Sequence, residues 1–146
     1  MLIWLFPMAG LGFALPTLEP NSIPIHISNF TAGCTPHSLF CSMAFNVRTT
    51  PGSLSAACSF WGPGPDRLPQ IGLSGCSNSD VSFSFGGNQE YRELNVVSTL
   101  NQGRNLTGTR HIPASEFVVE DHGSVQTEKY IGPSSFPISN LTIVLL

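Results

Sequence analysis

Apolar and polar residues alternate along much of this chain. The clearest case is residues 80–86, where three apolar side chains point one way and two serines point the other. The residues concerned are Val81, Phe83 and Phe85 against Ser82 and Ser84. This pattern predicts a half-buried antiparallel strand. Gly86-Gly87-Asn88 then predicts a turn, and residues 91–98 are the predicted hairpin partner, with Leu94 and Val96 inward.

The same alternation predicts strands elsewhere, and no stretch keeps apolar residues at helical spacing for three turns. In residues 39–48, for example, Cys41, Met43, Phe45 and Val47 share one face. The predicted strands are 23–31, 39–48, 54–61, 80–86, 91–98, 107–112, 116–120, 125–131 and 136–146. About eight or nine short strands without a helix predict an all-β fold, either an antiparallel β-barrel or a β-sandwich.

The N-terminal segment has a different pattern. Residues 2–13 are apolar or small and carry no charge. This run is too short to cross the ~30 Å hydrocarbon core as a helix. It ends in Gly12-Phe13-Ala14, which places small residues where a signal peptidase reads them. We therefore predict a secretory signal peptide over residues 1–14, followed by a single extracellular domain over residues 15–146.

Four cysteines follow this segment: Cys34, Cys41, Cys58 and Cys76. An even number of cysteines behind a signal peptide indicates two disulfides, for which three pairings exist. The intervening gaps lack the short paired spacings of a zinc site. We predict no metal and no cofactor.

Three sequons for N-glycosylation begin at Asn29, Asn105 and Asn140. Asn105 lies in a turn-like setting with Asn101-Gln102-Gly103-Arg104, and it is the best candidate for glycosylation among the three. Asn29 conflicts with the strand pattern, because it has the same parity as the apolar residues Ile25 and Ile27. Either the strand ends or bulges before Asn29, or Asn29 carries no glycan.

The composition argues against several functional classes. Only 10% of the residues are charged, and the net charge is −3 with six scattered basic residues. This excludes the basic stripe of a nucleic-acid-binding protein and the polybasic patch that binds anionic membranes. We expect no nucleic-acid partner and no membrane partner.

Catalytic motifs are absent from the sequence. It contains no Gly-x-Ser-x-Gly elbow, no P-loop, no dinucleotide fingerprint and no His-Glu-x-x-His. Glu120-Asp121-His122 clusters two carboxylates with an imidazole, but such a segment is also typical of a solvated hairpin turn. We predict no catalytic residues. Trp61 stands beside the rigid Gly62-Pro63-Gly64-Pro65 loop, and it could be a binding anchor or a cap on the end of the fold.

Several local motifs together resemble a known family. They are Ile27-Ser28-Asn29-Phe30-Thr31-Ala32, Cys34-x-Pro36-His37-Ser38-x-x-Cys41-Ser42-x-x-Phe45-x-Val47, Cys58-Ser59-Phe60, Cys76 through Phe85, Leu106-Thr107-Gly108-Thr109, Ile112 through Phe117 and Tyr130-Ile131-Gly132-Pro133-x-x-Phe136. The chain resembles the small secreted fungal proteins grouped with the Alternaria major allergen, the Alt a 1-like (AA1-like) family. The resemblance implies a disulfide-stabilised β-barrel or β-sandwich and an extracellular fungal protein of the allergen or effector class, and it implies no catalytic residues.

Two questions remain open at this level. For the disulfides, we favour Cys34–Cys41 with Cys58–Cys76, and the competing pair is Cys41–Cys58 across adjacent strands. For function, we expect a secreted, non-enzymatic protein that binds a host protein or a wall glycan. The alternatives are a carbohydrate- or lipid-binding module of the cell wall and a small extracellular hydrolase.

Overall fold

Two antiparallel sheets face each other in the computed structural model, which describes residues 25–49, 55–64, 66–88, 90–99 and 103–145. The predicted signal peptide lies outside these residues. The strands are β1 (Ile25–Cys34), β2 (Phe40–Thr49), β3 (Ser55–Pro63), β4 (Ile71–Gly75), β5 (Val81–Gly87), β6 (Tyr91–Thr99), β7 (Arg104–Pro113), β8 (Phe117–Asp121), β9 (Gln126–Tyr130), β10 (Phe136–Ile138) and β11 (Leu141–Leu145).

The first sheet has the strand order β3-β2-β1-β9-β8, with β10 also paired to β1, and the second has the order β11-β7-β6-β5-β4. The all-β prediction is confirmed, and the two separate sheets make the fold a sandwich rather than a barrel. A short 3-10 helix over Ala114–Glu116 leads into β8. Within the described ranges, no helix has the length and apolar character to cross a membrane.

The described residues form eleven strands, more than the eight or nine predicted. The predicted strand 136–146 is two strands, because the chain leaves the first sheet after Ile138 and joins the second at Leu141. Strand β4 was missed because Gly72 and the exposed Leu73 interrupt its alternation, leaving Ile71 as its one buried residue.

Strand β1 contains a bulge at Asn29. Ser28 pairs with Asn46 and Thr31 with Ala44, so two residues of β1 stand opposite the single residue between them on β2. Asn29 has a φ of 53° and is exposed, while Phe30 is buried. Asparagine tolerates this left-handed conformation better than most residues. Of the alternatives raised by the sequence, the bulge is the correct one, and it resolves the parity conflict at Asn29.

The core is built from the inward-facing residues of both sheets. Phe45 of β2 contacts Phe83 of β5 edge-to-face across the sandwich, with ring centroids 5.1 Å apart. Within the first sheet, Phe30 of β1 makes an edge-to-face contact with Tyr130 of β9 at 4.7 Å. Burying each such ring contributes roughly 1.5–3 kcal/mol, and the contact between Phe45 and Phe83 helps to hold the two sheets face to face.

The disulfides are Cys34–Cys41 and Cys58–Cys76, as predicted. The first joins directly opposite residues of β1 and β2. The second joins β3 to the residue after β4 and so links the two sheets along one side. The competing pair is excluded by register: Cys58 stands opposite Phe45, four residues along β2 from Cys41. Four residues of a strand span about 13 Å.

The outer edge of β3 is partly covered by Ser77, which follows this second disulfide. The Ala57 amide donates to Ser77 Oγ at 2.8 Å, and the Ser77 amide donates to the Ala57 carbonyl oxygen at 2.8 Å. Both outward-facing backbone groups of Ala57 are therefore satisfied. An unpaired edge strand is a template for association with another chain, and this contact blocks the middle of β3.

Candidate functional site

Trp61 lies on the outer face of the first sheet. Alternate residues of β2 and β3 face outward there, and the register places Phe40 diagonally next to Trp61. The two rings stack at a centroid distance of 4.2 Å and an interplanar angle of 9°. The Trp61 side chain nonetheless remains 69% exposed. Its position is therefore that of an exposed platform on a sheet face rather than a cap buried at the end of the sandwich.

A row of residues crosses this sheet in register with Trp61. Trp61 pairs with Ser42, Ser42 with Gly33, and Gly33 with Lys129. We call these four residues the transverse row. Because neighbouring strands lie about 4.8 Å apart, the row extends about 14 Å from Trp61 to Lys129. The central residues, Ser42 and Gly33, have small side chains, so the surface between the large side chains at the two ends is low. We call this low surface the floor of the row.

A shallow groove of about 350 Å³ continues the row beyond its centre. Lys129 Nζ lies 3.7 Å from Glu120 Oε1, and His122 Nε2 lies 3.4 Å from Glu120 Oε2. The second of these contacts lacks hydrogen-bond geometry, since the buried His122 nitrogen has no hydrogen-bond partner among the described residues. Hydroxyl-bearing residues complete the lining: Thr31, Thr35, Ser42 and Thr127.

The three side chains of the segment Glu120-Asp121-His122 do not lie together. Glu120 and His122 line the groove, whereas the Asp121 carboxylate accepts a hydrogen bond from the Gly123 amide at 3.0 Å and closes the turn after β8. Within the described ranges, no three His, Cys, Asp or Glu side chains are grouped as metal ligands. Glu120 is the single carboxylate among the described residues that line the groove, whereas glycoside hydrolysis commonly requires two.

A second cavity, also of about 350 Å³, opens between the sheets beside Arg92 and Glu128. The Arg92 guanidinium lies 3.2 Å from Glu128 Oε1 and also donates to the Leu68 carbonyl oxygen at 3.1 Å. The Leu68 amide in turn donates to the Glu128 carboxylate at 3.0 Å. All the charged groups of this contact are paired. It fixes the loop between β3 and β4 and engages the charges of Arg92 and Glu128 within the protein.

The Tyr130 phenol lies deeper at the same end of the sandwich and donates to the Pro133 carbonyl oxygen at 2.7 Å. Burial, the largest cause, and the nearby Glu116 carboxylate together raise the pKa of Tyr130 from 10.0 to about 12, with Arg110 acting in the opposite direction. Arg110 pairs with Glu116 at 3.2 Å, and its guanidinium lies 3.9 Å from the Phe136 ring centroid. These groups form an internal network that packs the end of the core.

The three sequon asparagines lie in different settings. Asn29 is exposed at the bulge, and Asn140 is exposed just before β11. Asn105 is the second residue of β7 rather than part of a turn, because the preceding turn ends at Gly103, which has a φ of 72°. Asn105 is half-buried between β6 and β11, and its side-chain oxygen has no hydrogen-bond partner among the described residues. Of the three, Asn29 and Asn140 offer the more accessible side chains.

The sequence identified Trp61 but none of the other members of the transverse row. Ser42 occurs in a motif quoted for the family resemblance but is not singled out there as a site residue, and Gly33 and Lys129 belong to no motif. The four residues come together only through the pairing of four strands. The sequence does draw attention to Glu120-Asp121-His122, two of whose residues line the adjacent groove. At that level the segment is a cluster of two carboxylates and an imidazole that is also typical of a hairpin turn. The row is therefore a property of register rather than of any local pattern.

Comparison of this chain with protein-family models and with curated proteins finds no match. The resemblance to the Alt a 1-like family therefore rests on the motifs quoted above.

Proposed function

We propose that this chain is a secreted, non-enzymatic binding protein of the fungal allergen or effector class, and that it contacts an extracellular partner through the outer face of the first sheet. The observation that carries the proposal is Trp61, a large aromatic residue that is 69% exposed and held flat against Phe40. Rigid, exposed aromatic side chains are favoured as anchors in binding sites, because little conformational entropy is lost when they are covered.

Two further observations support this proposal. Both disulfides are formed, which suits an oxidising extracellular environment. Within the segment Glu120-Asp121-His122, the Asp121 carboxylate has a structural role, since it accepts a hydrogen bond from the Gly123 amide and closes a turn. The low charge of the chain suits a partner recognised through apolar contacts and neutral hydrogen bonds rather than through salt bridges.

A carbohydrate-binding module is favoured over a lipid-binding one. Both cavities described above have charged linings, with Arg92 and Glu128 in one and Glu120 and Lys129 in the other. A lipid chain requires an apolar enclosure, because burial of charged groups against hydrocarbon is costly. A hydroxylated ligand on the exposed platform has no such conflict, because its hydroxyls can hydrogen-bond to the charged groups of the adjacent groove.

The experiment measures depletion of labelled protein by insoluble cell walls and its capture by soluble extracellular proteins. We expect binding to at least one preparation, and loss of that binding in Trp61→Ala. The matched control is Leu73→Ala, because Leu73 is also 69% exposed but lies on β4 of the other sheet. Equal binding by both variants, or no binding to either preparation, would overturn the proposal.

A further inference from the structure

We propose that the transverse row, Trp61-Ser42-Gly33-Lys129, binds a neutral polysaccharide chain that lies across the strands with one sugar ring stacked on Trp61. This inference rests on the proposed function, because it names the class of partner that the same face takes. Four features of the row support it: the aromatic platform of Trp61, the low surface at Ser42 and Gly33, the charges, and the length.

The platform has one accessible ring face. Phe40 stacks on Trp61 at 4.2 Å and holds the indole in a fixed orientation, and the remaining surface is open to solvent. The electron-rich face of an indole attracts positively polarised edges. A pyranose ring presents such an edge through its C–H groups, while its hydroxyls point outward to the rim. The stacked pair therefore suits a flat ring that is apolar on one side and polar around its periphery.

The structure itself does not require a glycine at position 33, in the floor of the row. A Cβ added at Gly33 would lie 3.5 Å from the Glu128 carbonyl oxygen and 3.7 Å from Lys129 Cα, which are ordinary contacts. Gly33 also has no positive φ. Neither packing nor backbone conformation therefore requires glycine at this position. Close approach of a ligand does require it, because any larger side chain here would stand between Trp61 and Lys129.

The charges in the groove favour a neutral ligand. The Glu120 carboxylate lies near both Lys129 and His122, so its charge is compensated within the protein. Because Glu120 and Lys129 are paired with each other, neither is left as a single charge that would select an anionic or a cationic chain. Hydroxyl groups, which both donate and accept, suit a lining that offers an ammonium, a carboxylate and the hydroxyl of Thr31.

The length of the row suits a short stretch of an extended chain. Trp61 and Lys129 are separated by three strand spacings, about 14 Å. If each ring of an extended chain advances by about one strand spacing, about three or four rings cover the row. A protein partner anchored on Trp61 alone would not need the row to be clear as far as Lys129.

Isothermal titration calorimetry tests this inference on protein made in a bacterial periplasm, where disulfides form. The probes are linear oligosaccharides of β-linked glucose and of β-linked N-acetylglucosamine, from two to six rings, and carboxylated polygalacturonate oligosaccharides of the same lengths. We expect one neutral series to bind, with affinity rising to about three or four rings and then remaining level.

Two variants and two matched controls locate the site. We expect Trp61→Ala to weaken binding at least tenfold, which is a typical loss for an anchoring aromatic residue. Gly33→Leu should do the same, because its side chain obstructs the row. The controls are Leu73→Ala and Gly72→Leu, which lie on β4, where a Cβ at Gly72 meets no atom within 4 Å. Both should bind within about twofold of the wild-type protein.

Three results would overturn the inference. Capture of a soluble protein through Trp61 without oligosaccharide binding would exclude the polysaccharide and leave the proposed function standing. Oligosaccharide binding that is unaffected by Gly33→Leu would exclude the row. Tighter binding of polygalacturonate would exclude a neutral ligand. If Gly33→Leu fails to fold by circular dichroism, Trp61→Ala and the dependence on chain length still decide the question.

Discussion

Arg92 on β6 and Glu128 on β9 connect the two sheets through an ion pair with an N–O distance of 3.2 Å. Both groups also hydrogen-bond to the backbone of Leu68, so that one pair of side chains fixes three segments. Glu128 is 8% exposed. A buried pair of this kind is costly to break from one side, because the remaining charge loses its partner in a poorly solvated site.

Glu128→Leu is therefore expected to lower the free energy of unfolding by about 3–5 kcal/mol, since it leaves Arg92 buried and unpaired. The double variant Arg92→Met/Glu128→Leu should recover much of this loss, although the freed Leu68 groups still cost about 1–3 kcal/mol. Urea unfolding of both single variants and the double variant measures the coupling. Additive losses would contradict this account of the pair.

The raised pKa of Tyr130 predicts a loss of stability at alkaline pH. The phenol ionises near 10 in the unfolded chain and at about 12 in the folded protein. The folded state therefore holds its proton more tightly, and this contribution is complete below pH 10 and is lost as the pH rises through 12. Tyr130→Phe should reduce the loss between these values by on the order of 1–2 kcal/mol.

Titration by phenolate absorbance checks the Tyr130 assignment directly. The chain has two tyrosines, so Tyr91→Phe leaves Tyr130 as the single titrating phenol. An apparent pKa near 10 in that variant, in protein that remains folded, would contradict the burial of the hydroxyl against Pro133.

The bulge at Asn29 predicts an unusual preference at this position. Asn29→Gly should leave stability almost unchanged, whereas Asn29→Val should cost roughly 1–2 kcal/mol, because a β-branched residue is strained at a φ of 53°. The control is Asn46→Val, at an exposed position of β2 whose φ is not positive. Equal effects of valine at the two positions in thermal unfolding would argue against the bulge.

The two disulfides are expected to differ in their effect on stability and association. Replacing Cys58 and Cys76 by alanine should cost about 3 kcal/mol, against about 2 kcal/mol for Cys34 and Cys41, because the first pair closes the longer loop. It should also free Ser77 from the edge of β3 and produce concentration-dependent association, detectable by light scattering. Association of both double variants to the same extent would contradict the role given to Ser77.

The sequence was most informative where one pattern decided the structure. Val81, Phe83 and Phe85 predicted a strand face and a hairpin that the sandwich contains, because alternation depends only on local geometry. It was least informative about relations between distant strands. Gly33 and Lys129 stand out in no local pattern, and only the pairing of β1 with β9 brings them together. The sequence places Asn105 in a turn because Gly103, which has a positive φ, lies only two residues earlier.

The pairing of β1 with β10 has a consequence for how the chain folds. Ile25 lies opposite Ile138, so residues from the two ends of the described chain are direct neighbours in the first sheet. During synthesis, β1 has no partner on that side until β9 and then β10 have been made, whereas β2 and both cysteine pairs are available much earlier. Contacts between such distant segments slow folding. All four cysteines precede β9 in the chain, so we expect that both disulfides are able to form while this side of β1 is still unpaired.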